Sequence, residues 1–252
     1  YYFSWGRSQT PQGTNVVGSG TALALTTQDL KPEIADTYEL GAKVGVLADG
    51  ALTLTASVFQ TTKNNATQRD PTTGDTLLQS GQRQRVRGFE LGAVGKPRPF
   101  WTVTANYTHL DSKILSDLSC STTAPISCLP NNFTIGRQVI NVPKNAFSLW
   151  NTLTLDGILR GLSASAGVTY QDAMPVRYTN LGTAPVITGL SRIAVMPKTV
   201  AVDTTVGYQT GPYRFALNIY NLFDRLNYSQ SFGNRGVPSP GRTFIVSAGV
   251  EF

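Results

Sequence analysis

The sequence predicts an all-β protein: an antiparallel, up-and-down transmembrane β-barrel, present as a partial barrel of about ten strands with short turns at one end and long loops at the other. Three observations predict it. In the final stretch, 243–252, Phe244, Val246, Ala248, Val250 and Phe252 occupy every second position, and Ile245 is the one apolar residue among those between. A period of two over about ten residues is the signature and length of a tilted strand that crosses a bilayer. The connections between such segments alternate short and long along the chain. No apolar run approaches the ~18 residues of a transmembrane helix. The charged share of only 14% suits such a barrel, where the apolar residues are spread one in two along the strands.

Each element follows from the same alternation. Strand 1–8 sets Tyr1, Phe3 and Trp5 on one side, and a Gly/Thr/Gln-rich segment fills 9–35. Strand 36–47 sets Tyr38, Leu40, Ala42, Val44 and Val46 against Glu39, Gly41, Lys43 and Gly45. The turn at Ala48-Asp49-Gly50 holds Asp-Gly, the hairpin dipeptide. Strand 51–63 returns with Leu52, Leu54, Ala56 and Val58 opposite Thr53, Thr55, Ser57 and Phe59, and a polar loop spans 64–81. Strands 82–95 and 100–112 meet across Lys96-Pro-Arg-Pro99, and a second long loop, with both cysteines, runs over 113–142. Strands 143–156 and 160–172 join around Gly157, and a third long loop carries Met174 through Pro197. Strands 198–210 and 213–223 join at Gly211-Pro212, and 224–240 leads into the last strand.

A soluble sandwich has no reason to keep one end tight and the other long, whereas outer-membrane barrels have short periplasmic turns and long extracellular loops. The aromatics agree. Trp101, Tyr208, Tyr213 and Phe252 fall at the short-turn end, and Tyr38, Phe59, Phe89, Tyr107, Tyr170 and Phe244 near the long-loop end. Two such belts suit rings that straddle a bilayer boundary. The chain opens within a strand pattern, which is the expectation for a fragment whose remaining strands lie upstream. On that expectation strand 243–252 pairs with 213–223 on one side only, its other edge open unless it meets 1–8.

The net charge of +6 allows nucleic acid, a membrane surface or an anionic ligand as partner. No basic helix, zinc spacing or aromatic RNA-binding signature is present, so nucleic acid is not expected. Cys120 and Cys128 fit a loop disulfide in an oxidising compartment, with two free thiols as the alternative. Without a nearby His they make no metal site. The single His109 sits near a strand end and is expected to be a rim residue. With one His there is no Ser/His/Asp set, and no enzyme activity is expected.

Asn221-Leu-Phe-Asp-Arg225 before the last loop, Pro240-Gly-Arg-Thr-Phe244 opening a strand that ends on Phe252, Tyr38-Glu-Leu-Gly-Ala-Lys43 before the Asp49-Gly50 turn, and Arg87-Gly-Phe-Glu-Leu91 together resemble TonB-dependent outer-membrane receptors. The resemblance covers residues 1–252 as the C-terminal portion of the barrel, nearest the ferric-siderophore group with catecholate receptors foremost. One departure stands out: where the family usually has Tyr after the Asn-Leu-Phe-Asp motif and two intervening residues, this chain has Asn227, with Tyr228 next.

The resemblance implies a whole barrel of about 22 strands closed by an N-terminal plug, with plug, TonB-binding segment and first barrel half outside this chain. It implies integral residence in a bacterial outer membrane, C-terminus periplasmic, and TonB-driven uptake of a ferric siderophore with no resident cofactor and no bond broken. Expected partners are the chelate, the TonB complex through the absent segment, the barrel-assembly machinery, and outer-membrane lipid and lipopolysaccharide. Phe252, with Phe244 and Val250, would form the signal that the assembly machinery reads. An anionic chelate with flat aromatic rings asks for Arg and Tyr. The long-loop ends offer Arg69, Arg83, Arg85, Arg87, Arg137, Arg177, Tyr178, Arg192 and Arg235. The alternative for these arginines is outer-leaflet lipopolysaccharide or solvated loops. Glu39, Lys43, Glu90 and Asp203 are expected as polar wall residues of the lumen. Competing readings of the whole are a passive porin or channel, a receptor for haem, cobalamin or oligosaccharide, or an outer-membrane enzyme or adhesin.

Overall fold

The computed structural model describes residues 1–11, 32–69, 77–120, 128–130, 134–180, 191–232 and 235–251; within them the side chains of 67–69, 77–81, 118–120, 128–130, 179–180, 191–192 and 232 lie outside the description. In chain order the strands are β1 (Tyr2–Thr10), β2 (Glu33–Val46), β3 (Leu52–Arg69), β4 (Leu77–Arg98), β5 (Trp101–Ser116), β6 (Leu118–Cys120), β7 (Cys128–Pro130) and β8 (Asn145–Thr154). They continue with β9 (Leu162–Gln171), β10 (Met174–Asn180), β11 (Ser191–Met196), β12 (Thr199–Thr210), β13 (Tyr213–Tyr220), β14 (Tyr228–Phe232), β15 (Arg235–Pro238) and β16 (Thr243–Val250). Ten of them make one sheet in the order β1-β2-β3-β4-β5-β8-β9-β12-β13-β16, antiparallel at every step. These are the ten strands the alternation predicts, and the order is that of an up-and-down meander.

The registers carry the alternation across the whole sheet. Leu40 lies opposite Val58, Val58 opposite Phe89, and Phe89 opposite His109. One step along, Ala56 faces Leu91, Leu91 faces Tyr107, Tyr107 faces Phe147, and Phe147 faces Tyr170. At the far side Val206, Leu217 and Val246 form the same kind of row. All of these belong to one face. The other face carries Ser57 opposite Glu90 and Glu90 opposite Thr108, with Lys43 opposite Thr55 in a neighbouring row. Glu39, Lys43, Glu90 and Asp203 all fall on this polar face, as expected of lumen wall.

No second layer covers the apolar face among the described residues. Leu40 and Val58 are each 56% exposed and Val246 is 79% exposed. Each large apolar side chain left in water forfeits about 1.5–3 kcal/mol relative to burial. A row of them on a wide sheet is stable only against hydrocarbon, where the same exposure costs nothing.

The short turns all fall at one end of the sheet: Ala48–Gly50, the link Pro99–Phe100, the Gly157–Leu159 turn and Gly211-Pro212. At the first, Asp49 and Gly50 have φ of 56° and 67°. Only Gly, and Asn or Asp among the rest, take that left-handed region readily, which is why Asp-Gly marks the hairpin.

The long-loop end is more structured than the sequence suggests. The loop expected over 64–81 is mostly strand, because the β3–β4 ladder continues to Arg69 opposite Leu77 through irregularities at Lys63–Ala66 and Ala66–Gln68. Three two-stranded ribbons stand in the other long connections: β6–β7, β10–β11 and β14–β15. Beyond the bilayer these segments pair to satisfy their backbone groups. They need no apolar alternation to do so, and the period-2 signal is silent there.

One expected belt member sits on the opposite face. Val58 takes the outward position, so Phe59 points inward opposite Glu39 and Gly88. A Cβ at Gly88 would run first into the His109 carbonyl oxygen and then, at 2.9 Å, into the Phe59 ring, so that glycine leaves room for both. The other expected aromatics share the outward parity, apart from Phe252, which lies outside the described residues. The terminal strand pairs as anticipated: β16 lies against β13 alone, β1 against β2 alone, and the sheet is not closed.

Candidate functional site

The candidate binding surface is the tier built above the sheet at the long-loop end. It begins where residues 134–142 fold back along β5. The Ile114 amide donates to the Arg137 carbonyl at 2.9 Å, and the Gly136 amide donates to the Ile114 carbonyl at 2.8 Å. Val139 lies buried there, its amide 3.3 Å from the Ser112 hydroxyl. This docking fixes Arg137. Next to it rises the β10–β11 ribbon, whose base packs Met174, Val176 and Met196 together, with Ala194 and Tyr228 against them. The Asn141 amide donates to the Pro175 carbonyl at 2.8 Å, and Ser231 Oγ lies 3.0 Å from Asn141 Oδ1. The connections after β5, β9 and β13 are thereby joined into one rim.

Arg137 and Tyr178 meet on that rim. The Arg137 guanidinium carbon stands 5.2 Å from the centre of the Tyr178 ring, a cation–π arrangement. The Tyr178 hydroxyl donates to the Gln138 carbonyl at 2.8 Å, which locks the ring under the cation. Burial pushes the Tyr178 phenol up from its ordinary value, against the Arg137 charge, which pulls it down. A stacked cation and ring offers charge, a flat apolar face and hydrogen-bond donors to an anionic aromatic group. Arg177 is half-buried beside Tyr178, at the irregularity between Pro175 and Arg177. Arg235 is exposed at the start of β15.

Of the other arginines named from the sequence, Arg83, Arg85 and Arg87 do not join this group. Arg83, Arg85 and Arg87 alternate in phase with Phe89 and Leu91, so they stand on the apolar face of β4. Arg87 Nε donates to Gln60 Oε1 at 2.9 Å on the neighbouring strand. Arg69 and Arg192 hold strand positions opposite Leu77 and Thr179, and their side chains lie outside the described residues. Cys120 and Cys128 face each other in register across the β6–β7 ribbon, their side chains likewise outside the description. Phe244 and Val250 lie on the outward face of β16, 60% and 49% exposed.

The Asn221-Leu-Phe-Asp-Arg225 motif proves to be a structural knot. Asn221 is buried with φ of 52°, a conformation Asn tolerates. Its Nδ2 donates to the Arg225 carbonyl at 2.9 Å, and its Oδ1 accepts from the Arg225 amide at 3.0 Å. Its own amide donates to Asp203 Oδ1 at 2.7 Å on β12. Asp224 Oδ1 accepts from the Arg242 amide at 2.8 Å, tying the motif to the entry of β16. The motif therefore sets the exit of β13 and the start of the final strand.

A second cluster went unread in the sequence. Asn145 Oδ1 accepts from the Tyr107 hydroxyl and lies 2.8 Å from His109 Nδ1. Asn145 Nδ2 donates to Asp172 Oδ2 at 2.6 Å, and the Tyr170 hydroxyl donates to Asp172 Oδ1 at 2.5 Å. His109 also stacks on Phe89, with centroids 5.4 Å apart. These residues sit on the outward face, so His109 is a rim residue as expected, and its ring is held within the belt. Alternation could place each residue on its face, but not forecast that Asn145 would bridge three strands.

The comparisons with known proteins fit this geometry. The family model described as TonB dependent receptor-like, beta-barrel matches residues 1–222. The chain is 30% identical over all of its length to the probable TonB-dependent siderophore receptor PiuA of Acinetobacter baumannii, strain ATCC 19606, covering 32% of that protein. The crystal structure of the siderophore receptor PiuA from Acinetobacter baumannii superposes with a TM-score of 0.76 at 30% identity, over 98% of this chain and 33% of that one. The ferric-catecholate import receptor Fiu from K12 E. coli, in its closed form, superposes with a TM-score of 0.71 at 28% identity, over 99% of this chain and 32% of that one. The chain thus spans about a third of the length of the relatives it matches.

Proposed function

The chain belongs to the TonB-dependent receptor β-barrel family, and from that premise we propose that it contributes part of the barrel of an outer-membrane receptor that imports a ferric siderophore. The observation that carries the reading is the family match over residues 1–222 on a ten-stranded meander with one polar and one apolar face. The polar face lines the passage. The rim at the long-loop end receives the chelate, with Arg137, Tyr178, Arg177 and Arg235 as the contacting residues. PiuA is described as a siderophore receptor and Fiu as a ferric-catecholate import receptor. An anionic chelate with catechol rings is accordingly the substrate class we assign, written as cargo and not as a resident cofactor.

Transport breaks no bond, so the residues bind and release and do not catalyse. TonB would supply the work through a plug segment outside this chain. The C-terminus lies with the short turns on the periplasmic side, and Phe252, with Phe244 and Val250, serves as the signal for barrel assembly. Deleting Phe252 in the full receptor is expected to lower outer-membrane levels while leaving export to the periplasm intact.

The test is iron-restricted growth of a strain that lacks its own catecholate receptors and carries the full-length protein. Growth on ferric catecholates that requires TonB supports the reading. Growth that persists without TonB identifies a passive channel, and growth only on haem or cobalamin moves the substrate class.

A further inference from the structure

A single residue touches all three connections that carry the charges of the rim. Asn141 lies on the docked segment 134–142, which holds Arg137. Its amide donates to the Pro175 carbonyl at 2.8 Å, at the foot of the β10–β11 ribbon and beside the irregularity that precedes Arg177 and Tyr178. Its side-chain carbonyl accepts from the Ser231 hydroxyl at 3.0 Å on β14. In the β14–β15 ladder Ser231 stands opposite Gly236, and the adjacent pair is Phe232 opposite Arg235. Asn141 therefore reaches that ribbon one pair away from Arg235.

The ties differ in strength. Segment 134–142 and β10–β11 are also joined by the Tyr178 hydroxyl on the Gln138 carbonyl and by Arg137 over the Tyr178 ring. The β14–β15 ribbon leans on its neighbours at the base, where Tyr228 packs against Met174, Val176 and Met196. A Cβ at Gly236 would come 2.9 Å from the Tyr228 ring, so the ribbon folds closely over that anchor. Tyr228 is thus the pivot of β14–β15, and the Ser231–Asn141 bond is its latch. Asn141 has φ of 59°, a left-handed conformation that Asn adopts more readily than most residues. Ordering separate loops costs conformational entropy at each one, whereas loops already joined are ordered in one step.

We propose that Asn141 is a positioning residue for chelate capture. Through Pro175 and Ser231 it joins the three connections, so that an anionic chelate meets Arg137, Arg177, Tyr178 and Arg235 as one surface. Contacts on the two sides of the latch then act cooperatively, although Asn141 itself touches no cargo. The proposal rests on the chelate-binding reading above.

The test is a set of double-variant cycles on the full-length receptor in detergent, with the ferric complex of a tripodal tris-catecholate as probe and fluorescence quenching as readout. Arg137→Gln and Arg235→Gln are made singly and together, in the parent receptor and in Ser231→Ala, Asn141→Gly and Asn141→Asp backgrounds. In the parent, Arg235→Gln is expected to weaken binding at least about threefold more with Arg137 intact than after Arg137→Gln. Ser231→Ala should abolish that excess, and so should Asn141→Gly, which keeps the backbone conformation accessible. Asn141→Asp retains an acceptor for Ser231 and adds a negative charge, so it should keep the excess while lowering overall affinity for the anion. A merely structural role would lower affinity in every background and leave the excess untouched. Heat-modifiability on gels confirms that each variant is folded. Independent losses in the parent, or an undiminished excess with Ser231→Ala, overturn the proposal. Amide hydrogen exchange without the probe separates it from the transport reading, because Ser231→Ala should quicken exchange at the Asn141 amide. Unchanged exchange overturns the joint itself. Quickened exchange in a receptor that binds no tris-catecholate upholds the joint and overturns only the assigned cargo.

Discussion

Asn227 hydrogen-bonds both backbone groups of Val200. Its Nδ2 donates to the Val200 carbonyl at 2.9 Å, and its Oδ1 accepts from the Val200 amide at 3.2 Å. The side-chain amide thus stands in for a strand partner at the start of β12, where the pairing with β13 has not yet begun; that ladder starts at Thr204. Asn227 is buried, and its own carbonyl accepts from the Ser239 amide at 2.8 Å. The position at which the chain departs from the family's usual Tyr is therefore filled by a residue that closes a gap in the sheet.

Asn227→Ala is expected to leave Val200 unpaired and to cost about 1–3 kcal/mol. Amide hydrogen exchange on the full receptor in detergent reads it directly. Exchange at Val200 should quicken more than at Val168, which lies within a ladder. Equal protection at both would show that water or another group replaces the amide.

At Asn221 a comparison of two variants separates cap from conformation. Asn221→Gly keeps the φ of 52° accessible and loses the two bonds to Arg225; Asn221→Ala loses both advantages. The Ala variant is expected to be the less stable, by about 1 kcal/mol beyond the Gly variant. The midpoint of heat-modifiability on unboiled gels orders them, and the reverse order would remove backbone strain from the account.

Gly167 makes room for a ring. It lies opposite Trp150 on the polar face, and a Cβ built there would fall inside the indole. Gly167→Ala is expected to cost about 1–3 kcal/mol by overpacking. Trp150→Ala in the same chain should recover most of the loss. If the double variant is no better than Gly167→Ala, backbone freedom and not the indole explains the glycine.

The Tyr178 phenol should titrate above the ordinary tyrosine value of 10.0. A raised value means that the fold favours the neutral form, so its contribution is full below about pH 10 and fades as pH climbs through the folded value. An ultraviolet difference titration of the receptor against its Tyr178→Phe variant isolates this one phenol. Arg137→Gln removes the charge that pulls the value down, and should move the midpoint higher still. A downward move would place Arg137 elsewhere than over the ring.

The β6–β7 register sets Cys120 opposite Cys128, and a disulfide between them is the expected state of the exported protein. Mass spectrometry of the peptide spanning both, without reductant, should show the loss of two hydrogens. Two alkylatable thiols in protein taken from the outer membrane would rule the bond out.

The ten-stranded sheet was legible because an apolar surrounding on one side and a polar one on the other impose a period of two on every strand. Leu40, Val58 and Leu91 could be assigned to one face from the chain alone. The rim was not legible in that way. Arg137 and Tyr178 are neighbours because 134–142 docks on Ile114 through backbone groups, and backbone bonds leave no residue pattern. Phe59 shows the limit within a strand: an aromatic near a strand end looks like a belt residue until its parity with Val58 is respected. For Arg83, Arg85 and Arg87, charge suggested the chelate, whereas alternation already placed them in phase with Phe89.

The two-faced sheet also corrects its own errors. Sliding any one strand by a single residue would carry its entire outward set inward and its inward set outward. For β2 that would thrust Lys43 and Glu39 toward lipid. A misplaced lysine near the bilayer midplane costs about 2–4 kcal/mol, and an acid somewhat less. A wrongly zipped intermediate is thereby far less favourable than the right one before closure is complete. Strands whose polar face carried only Ser, Thr and Gly would lack that penalty. The few charges on the polar wall thereby act as indexing pins during assembly.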